Sequence, residues 1–391
     1  MNILTIAGPL HKEFGGPPMA ATGVASSLAK LGHQVKMLVC GQSNRDVQTN
    51  SVFFDKLKES RVEVQVIGRR YESVYGTAIK FSEIAALWSD VRKADFIILH
   101  QVFALQFIIT FPILVLSRKP YAVMPHGSLT NYQRKQHKLR KFLAYPGTYS
   151  FLKLAKAIFV ATEQERSQLP KFLQKKGKVV GLGIDIPNLY SEKLVKSTLS
   201  FNLLFMGRIA RKKRLDIALQ AFALASKKST IEMKFIVCGS GEEHEMAQLR
   251  KLVATLQIDS EVEFRGWVDF FDKQRAFLES DCFILTSEDE NFAVAAAEAL
   301  SYGIPCILSS NVALSNLVMK HNAGVVLNEL NYSEIEMAIS KIASLNKDIM
   351  KNSSLRAASE IGWESIAKKW EECIMEILQD PQDRPSSMNC L

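Results

Sequence analysis

Short apolar runs alternate with longer segments of helical length along most of the chain. Several of these runs are apolar throughout, as strands buried on both faces of a sheet are. The intervening segments, such as Arg214–Ser226 and Asn291–Ser301, have helical spacing. The alternation predicts an α/β fold in which helices cover both sides of parallel sheets. The predicted strands are Ile3–Ala7, Gln34–Val39, Val62–Ile67, Phe96–Leu99, Tyr121–Met124, Ala157–Val160, Lys178–Val180, Asn202–Phe205, Met233–Val237, Val262–Phe264, Cys282–Thr286, Cys306–Leu308 and Gly324–Leu327.

The alternation pauses once, between Gly183 and Thr198, where the chain is polar and contains Pro187. A fresh strand follows the pause, so we place a domain boundary there and expect two Rossmann-like domains with a cleft between them. The expected divisions are a first Rossmann-like domain at 1–185, a second at 198–362, a helix at 363–379 that packs back on the first domain, and a tail at 380–391.

Composition and cysteine usage indicate a folded cytosolic protein. Of the 391 residues 47% are hydrophobic, which is ample for folded cores, and the 23% that are charged is an ordinary share. The six cysteines form no CxxC pair and favour buried, reduced thiols. The opening MNILTIAG lacks a basic region and predicts a first strand, not a signal peptide. The uncharged stretch Phe96–Ser117 contains His100 and Pro112, and it predicts a strand and a buried helix in preference to a membrane span.

The net charge of +9 is unevenly placed along the chain. No Asp or Glu occurs from Phe96 to Thr162, and Lys and Arg are concentrated from Arg134 to Lys141. A solvated basic helix fits this pattern, and so does an amphipathic surface that rests on anionic lipid or a phosphorylated acceptor. Nucleic acid would attract the same charge, but the chain carries no RNA- or DNA-binding signature. An anionic membrane surface, met through 134–156 on the inner face of the plasma membrane, is therefore one expected partner.

Polar and glycine residues collect where the predicted strands end. Ligands of open parallel sheets bind outside the carboxyl ends of the strands, so these residues mark one ligand-binding edge on each sheet. They are His11, Gly15, Gly16, His100 and His126 in the first half, and Arg208, Lys213, Gly239, Gly241 and Ser287–Glu290 in the second half.

Two glutamates flank a run of small apolar residues, FAVAAA, that lets other groups approach closely. Glu290 and Glu298 are eight residues apart, which is about 12 Å along a helix. That rise matches the distance from a hexose to a ribose across a diphosphate. Amides of Asn291–Ala293, at the expected helix start, would then face the phosphates.

The cluster RIARKKR, from Arg208 to Arg214, supplies positive charge next to this segment. A solvated loop would explain the cluster without any ligand. Alternatively, Arg208 offers a planar fork and Lys213 a point charge that together neutralise a diphosphate.

Taken together, these motifs resemble those of the retaining glycosyltransferases of family 4, which have the GT-B fold. The matching pieces follow that family's order and separations over nearly the whole chain. They are GGPPMAATGVASSLAKLGHQV near the start, MPHGSL at Met124–Leu129, GLGID at Gly181–Asp185, FMGRIARKKRLDIALQAF at Phe205–Phe222, then VCGSGEE, VEFRGWV and the E-x7-E segment through GIPCI.

The resemblance implies that the domain at 1–185 binds the acceptor and the domain at 198–362 binds the nucleotide sugar. It also implies roles for individual residues. The catalytic set it implies is Glu290 on the donor sugar hydroxyls, Arg208 and Lys213 on the diphosphate, and His126 near the transferred sugar. For donor binding it implies Gly16 near the β-phosphate and acceptor, Arg208, Lys213, the backbone of Trp267 and Val268 at the base, and Glu298 on the ribose. The expected donor-binding set also includes Gly239, from its strand-end turn, and Asn291, Phe292 and Ala293, from the expected helix start. The chain departs from the family at Asn291 and Arg214, where Gly is common; Asn291 could cap a helix start, and Arg214 adds charge beside the phosphate site.

The resemblance implies transfer of a hexosyl unit from a UDP-, GDP- or ADP-sugar to a glycan or lipid-linked acceptor in polysaccharide biosynthesis. The family retains the anomeric configuration, and we expect front-face transfer because the sequence shows no carboxylate placed as the nucleophile of a double displacement. We expect no cofactor or metal, because His and Asp or Glu nowhere combine at metal-ligand spacing and Arg208 and Lys213 can replace Mg²⁺. A sugar-nucleotide epimerase shares the double-Rossmann layout and is an alternative. A NAD-dependent oxidoreductase is disfavoured, since GxGxxG is absent after the first strand. A non-catalytic membrane-associated binding protein would not need Glu290, Arg208 and Lys213 together.

Overall fold

The computed structural model describes residues 1–11, 16–41, 51–70, 77–78, 80–100, 102, 106–130, 148–187 and 200–380. The chain divides into two compact units. The first is Met1–Gly183 joined by the chain from Trp363 onward, and the second is Ile184–Gly362.

A seven-stranded sheet of parallel strands forms the centre of the first unit, in the order β3-β2-β1-β6-β7-β8-β9. Every residue of β6, β7 and β8 is buried, as the uninterrupted apolar runs predicted. The strands are β1 (Asn2–Ala7), β2 (Gln34–Cys40), β3 (Glu63–Ile67), the antiparallel pair β4 (Arg69–Arg70) and β5 (Thr77–Ala78), β6 (Phe96–His100), β7 (Tyr121–Met124), β8 (Ala157–Val160) and β9 (Gly177–Val179). The helices are Gly16–Lys30, Ser51–Glu59, Phe81–Lys93, Gln106–Ser117, Glu163–Gln168, Lys171–Gln174 and Trp363–Gln379, and residues 148–154 are also helical.

The helix Trp363–Gln379 packs on the first sheet, although it follows the second unit in sequence. The Trp370 indole donates to the Gly181 carbonyl at 3.2 Å, and its ring meets Phe159 edge-on at 5.1 Å between centroids. The Trp363 ring lies against Gly23 so closely that a Cβ there would fall 1.9 Å from a ring carbon. The sequence-predicted return of this helix to the first domain is therefore seen.

Six parallel strands form the sheet of the second unit, in the order β12-β11-β10-β13-β14-β15. This is the 3-2-1-4-5-6 order of a doubly wound sheet, so its switch point lies between β10 and β13. The strands are β10 (Ser200–Met206), β11 (Glu232–Cys238), β12 (Val262–Gly266), β13 (Cys282–Leu285), β14 (Cys306–Ser309) and β15 (Gly324–Leu327). A 3-10 turn spans Arg211–Lys213, and the α-helices are Leu215–Lys228, Glu243–Leu256, Phe270–Glu279, Val294–Ser301, Ser315–His321, Tyr332–Ser344 and Lys347–Glu360.

Most of the segment predicted to contact a membrane, 134–156, lies outside the described residues, because residues 131–147 are not described. Of the part that is described, Phe151 is buried and Tyr149 stacks on Phe172 at 4.3 Å between ring centroids. Among the described helices there is none with the length and apolar character that a membrane crossing requires. The cysteines of the described chain are buried and unbonded to one another, and burial raises the pKa of Cys238 to about 11.

Candidate active site

Glycines lie at the carboxyl ends of β10, β11 and β12 in the second sheet. The N–H of Gly207, after β10, donates to the Cys238 carbonyl at 3.0 Å, and the N–H of Gly239, after β11, donates to Gly266 at 2.6 Å. Gly239 has a φ of +143°, and a Cβ there would fall 1.9 Å from the Gly207 carbonyl oxygen. The need for glycine at 239 is therefore explained by this close backbone approach, without a ligand.

The loop after β10 and the loop after β13 bring Lys213 and Glu290 into direct contact. The Lys213 ammonium meets Glu290 Oε2, and Ser287 Oγ donates to the same oxygen at 3.2 Å. Only 13% of the Lys213 side chain and 19% of the Glu290 side chain are exposed. Burial lowers the pKa of Lys213, while the carboxylate of Glu290 opposes that shift. The two residues that the sequence assigned to phosphate and sugar therefore form one half-buried ion pair.

Hydrogen bonds to backbone atoms fix these two loops to each other. Thr286 Oγ1 donates to the carbonyls of Lys213 at 3.0 Å and Arg214 at 3.1 Å. The N–H of Glu288 donates to the Lys212 carbonyl at 2.9 Å, and Lys212 Nζ donates to the Asp289 carbonyl at 3.1 Å. The position of Glu290 relative to Lys213 is thus set by the backbone as well as by charge.

Arg214 joins the same loops through its guanidinium. Its Nε and Nη2 contact the two carboxylate oxygens of Asp216, each at 3.2 Å, and its Nη1 contacts Glu288 at 3.2 Å. Hydrogen bonding to Asp216 is the main cause of a raised Arg214 pKa. Arg214 adopts left-handed backbone angles, φ 49° and ψ 40°, which accounts for Gly being common at this position in the family that the sequence resembles. Its charge is held by two carboxylates, so it does not simply add to the phosphate site.

Arg208 is exposed at the start of this loop. It is close enough to Lys213 for its charge to lower the Lys213 pKa. The two predicted diphosphate ligands are therefore neighbours, with Arg208 towards solvent and Lys213 paired with Glu290.

The segment between the two glutamates differs from the expected continuous helix. The helix begins only at Val294, and Ala293 before it has left-handed angles, φ 58° and ψ 60°. Ala293 is the N-cap residue, so the expected helix start at Asn291 and its capping by Asn291 are wrong. Phe292 is buried in the core, so its side chain is a packing residue. Glu290 therefore lies before the helix that carries Glu298, and the expected separation of about 12 Å along one helix does not apply to the two glutamates.

Glu298 also has a lysine partner. Lys273, from the helix Phe270–Glu279, contacts Glu298 Oε1, and the two side chains are 27% and 16% exposed. Sequence reasoning missed Lys273, since it follows no strand end and belongs to none of the quoted motifs. Trp267, at the end of β12, is 65% exposed, and Val268 next to it is half-buried.

In the first unit, His126 lies beside His100. His100 is the last residue of β6, and His126 follows β7 in a left-handed conformation with φ 49°. His100 Nδ1 and His126 Nε2 are 2.9 Å apart, and the rings stack at 5.2 Å between centroids. Burial lowers the pKa of His126 to about 4, and burial together with His126 lowers that of His100. Both imidazoles are therefore neutral at pH 7.

A buried carboxylate that the sequence analysis missed holds the loop of His126. Glu165, 2% exposed, accepts from the N–H of Gly127 at 2.6 Å and from the N–H of Ala161 at 2.8 Å. Its own N–H donates to Thr162 Oγ1, the N-cap of its helix, at 3.0 Å. Glu165 thus connects the loop after β7 to the loop after β8.

Gly16 is the first residue of the helix Gly16–Lys30, and a Cβ there would meet no atom of the described residues within 4 Å. Gly15 lies outside the described residues. Gly16 and His126 belong to the first unit, and the other predicted site residues belong to the second. Across the residues that the structure describes, no three His, Cys, Asp or Glu side chains are placed to hold a metal ion.

Comparison with known proteins matches most of the chain to glycosyltransferase families. The family described as "Glycosyl transferase 4-like domain" matches residues 15–182, and "Glycosyl transferases group 1" matches residues 189–358. The GDP-mannose:cellobiosyl-diphosphopolyprenol alpha-mannosyltransferase of Xanthomonas oryzae is 23% identical over 381 residues, which is 95% of each chain.

Other curated relatives match over a smaller part of their length. The alpha-monoglucosyldiacylglycerol synthase of Streptococcus pneumoniae is 26% identical over 45% of this chain and 39% of its own. For an uncharacterized glycosyltransferase of Methanocaldococcus jannaschii, 23% identical over 170 residues, the chain spans 43% of the relative's length.

Solved structures share the fold. The crystal structure of Anabaena HepE in complex with UDP and glucose superimposes with a TM-score of 0.70 and 16% identity, over 96% of this chain and all of that one. The two parallel sheets and these neighbours identify the fold as GT-B. The family matches, the full-length relative and the fold agree, and the chain belongs to the group 1 glycosyltransferases.

Proposed function

We propose that this protein transfers a hexosyl unit from a nucleoside diphosphate sugar to a glycan or lipid-linked acceptor, with retention of the anomeric configuration. The observation that carries the proposal is the Lys213–Glu290 pair at the switch point of the second sheet. It places a cation for phosphate next to a carboxylate for sugar hydroxyls, where ligands of such sheets bind. The Xanthomonas relative, named for a GDP-mannose donor and a diphosphopolyprenol-linked acceptor, supports the same reaction class.

Donor binding, in this proposal, exchanges the partners of the ion pair. The diphosphate displaces the Glu290 carboxylate from the Lys213 ammonium and also meets Arg208. Glu290 is thereby released to accept hydrogen bonds from the sugar hydroxyls, and Ser287 stays beside it. Glu298 accepts from the ribose hydroxyls, and the helix start at Val294 turns its amides to the phosphates.

The chemical step needs stabilisation of a leaving diphosphate more than it needs a nucleophile on the enzyme. The bond between the anomeric carbon and the phosphate oxygen breaks, and the acceptor oxygen bonds to the same face of that carbon. The acceptor proton passes to the leaving phosphate oxygen, so atoms and charge balance. Lys213 and Arg208 stabilise the negative charge that develops on that oxygen, which is why we propose transfer without a metal.

His126 acts, in this proposal, as a neutral hydrogen-bonding group. With a pKa lowered to about 4, its imidazole carries no charge at pH 7 and cannot serve as a strong acid. Its Nδ1 can form a hydrogen bond with a sugar hydroxyl while its Nε2 is hydrogen-bonded to His100 Nδ1. The role fits a residue that orients the transferred sugar.

A panel of nucleotide sugars tests the proposal. UDP-, GDP- and ADP-sugars are added separately, and the cognate donor should raise the melting temperature in a concentration-dependent way. Incubation with that donor and acceptor extracts, in the presence and absence of EDTA, should then release nucleoside diphosphate only when acceptor is present. Conversion of the donor to an isomer without acceptor would instead identify an epimerase.

Variants at the glutamates make the test specific. Glu290→Gln should abolish transfer, because the amide cannot pair with Lys213 or accept equally from sugar hydroxyls. Glu364→Gln, on the exposed face of the helix Trp363–Gln379, is the control and should retain wild-type rates. Equal rates for Glu290→Gln and Glu364→Gln would overturn the assignment.

We also propose that the basic residues 134–156 contact an anionic membrane at the inner face of the plasma membrane, where a lipid-linked acceptor would lie. The charge pattern of the sequence supports this, since Lys and Arg alternate there with apolar residues. Flotation with vesicles that contain phosphatidylglycerol should recover the protein, and neutralising Arg140 and Lys141 together should reduce recovery. Recovery that is unchanged would refute a role for those two residues.

A further inference from the structure

Both glutamates of the E-x7-E segment have a lysine partner in the folded protein. Glu290 pairs with Lys213, whose role the proposed function already includes. Glu298 pairs with Lys273, which lies on a different helix and has no role so far. The second pair is the more informative, because Lys273 sits between two parts of the nucleoside site.

The helix of Lys273 follows directly from the loop assigned to the nucleobase. Trp267 and Val268 are followed by Asp269, whose carboxylate caps the helix by accepting from the Asp272 N–H at 2.9 Å. Lys273 is therefore one turn into a helix that starts at the base loop. It reaches from this helix to the carboxylate assigned to the ribose.

A second contact fixes how the two helices face each other. The ring of Phe277 stacks on that of Tyr302 at 4.9 Å between centroids, with an angle of 18° between the planes. Phe277 is four residues after Lys273, and Tyr302 is four residues after Glu298. Phe277 lies on the same helix face as Lys273, one turn further on, and Tyr302 is the C-cap of the helix that carries Glu298. The ion pair and the ring stack are therefore two separate contacts between the same two segments. Lys273 is held opposite Glu298 by packing as well as by charge.

The contact leaves part of the carboxylate available. Lys273 contacts Oε1 of Glu298, and Glu298 Oε2 can accept from a ligand. An ammonium at this point also offsets the repulsion that a diphosphate would exert on the Glu298 charge. A carboxylate held in this way is ready for a ribose hydroxyl.

We propose that Lys273 is a positioning residue for the nucleoside: it holds Glu298 so that the carboxylate accepts from the ribose 2′-hydroxyl, and it ties that contact to the base loop. The proposal rests on the proposed function, since it assumes a nucleoside diphosphate at this site. It predicts that Lys273 contributes to discrimination between ribose and deoxyribose. A purely structural ion pair would contribute to stability alone.

Calorimetric binding of matched nucleotides tests this. Kd is measured for UDP, GDP and ADP and for their 2′-deoxy forms, with wild type, Lys273→Met and Glu298→Gln. A hydrogen bond to a charged group corresponds to about tenfold or more in affinity, so wild type should bind the ribonucleotide about tenfold more tightly than the deoxy form. Lys273→Met should bind the ribonucleotide about tenfold more weakly, bind the deoxy form nearly as well as wild type does, and so lose the preference.

Arg275→Met is the matched control. Arg275 lies on the same helix, and its ion pair with Glu279 faces solvent, so this change removes one positive charge without touching Glu298. It should keep the wild-type ribose preference, and so should Lys273→Arg, which retains a cation next to Glu298. If Lys273→Met fails to fold, Lys273→Gln takes its place, because the amide is polar but carries no charge. The preference should then be lost in Lys273→Gln and kept in Lys273→Arg.

Failure of the inference differs from failure of the proposed function. A wild-type protein that binds none of the six nucleotides would overturn the glycosyl-transfer proposal itself. Wild-type binding with a ribose preference that Lys273→Met retains in full would overturn the inference alone. A lower melting temperature for Lys273→Met with unchanged preference would likewise show that the pair only stabilises the fold.

Discussion

At the scale of single residues, the loops that follow the strands are set by buried polar groups with few degrees of freedom. His126 is held against His100 at 2.9 Å, and the N–H of Gly127, the next residue, donates to the buried Glu165. The left-handed backbone at His126 is sparsely populated by non-glycine residues and costs about 1 kcal/mol. The surrounding hydrogen bonds offset this cost and keep the ring where the strand ends.

Removal of one acceptor should loosen this loop. In Glu165→Gln an NH2 group replaces one of the two carboxylate oxygens, so a buried backbone N–H of Gly127 or Ala161 meets a donor. An unsatisfied buried group costs about 1–3 kcal/mol, which predicts a melting temperature lower by several degrees and a reduced kcat as His126 shifts. Scanning calorimetry and initial rates measure both.

The control for this change is close by. Glu163→Gln alters an exposed carboxylate of the same helix, two residues away, whose partner is Arg166. Exposed pairs of this type contribute about 0–1 kcal/mol, so stability and rate should stay near wild type. If Glu165→Gln behaved like Glu163→Gln, the buried carboxylate would not be what holds the loop.

The histidine pair predicts a pH dependence of stability. In the unfolded chain a histidine titrates near pH 6.5, whereas burial lowers the pKa of His126 in the folded protein to about 4. Between these values the unfolded state binds the extra proton, so stability falls as the pH is lowered through this window, by about 1.4 kcal/mol per pH unit at most. Melting temperatures from pH 7 to pH 4 should therefore fall less steeply in His126→Asn than in wild type, and identical slopes would contradict the shift.

At the scale of elements, Arg214 couples the loop of Lys213 to the loop of Glu290 through Glu288, and Asp216 on its own side holds the guanidinium in place. Arg214 affects stability in two ways: its guanidinium joins the loops, and its backbone is strained in the left-handed region. Arg214→Ala removes the guanidinium and keeps the strain, whereas Arg214→Gly removes both. The pair of variants therefore separates the two effects.

We expect Arg214→Gly to melt above Arg214→Ala, since glycine relieves about 1 kcal/mol of left-handed strain. Both variants should show a higher KM for the donor, because both lose the guanidinium contact with Glu288 that joins the loop of Lys213 to the loop of Glu290. Thermal melts and donor titrations at fixed acceptor give the two readouts. Equal melting temperatures for the alanine and glycine variants would show that the backbone at this position is not strained.

The sequence predicted the strands well and the side-chain pairs poorly, for a physical reason. Strands buried on both faces leave continuous apolar runs, so their bounds could be read to within about two residues, as for Tyr121–Met124. The pairing of Lys273 with Glu298 depends on how two helices pack, which no local pattern records. The helix start failed because Ala293, a strong helix former, is held in a left-handed conformation by its surroundings.

At the scale of the whole molecule, the first unit is built from both ends of the chain. The helix Trp363–Gln379 covers its sheet, and the Trp370 ring is 1% exposed against Phe159. The N–H of Ile184, where the chain enters the second unit, donates to the carbonyl of Ile361, where that unit ends, at 2.9 Å. Residues 1–183 alone would therefore leave part of the first core uncovered.

Trp370→Ala should selectively destabilise the first unit. Truncation of a buried aromatic side chain costs about 3–5 kcal/mol, and the bond from its indole to Gly181 is lost as well. In calorimetry a nucleoside diphosphate that binds the second unit should raise one transition, and Trp370→Ala should lower the other by several degrees or more. Phe81→Ala removes an exposed ring from the same unit and should leave both transitions in place. If Trp370→Ala instead lowered the transition that the nucleotide raises, the last helix would stabilise the second unit, and its place in the first unit would be wrong.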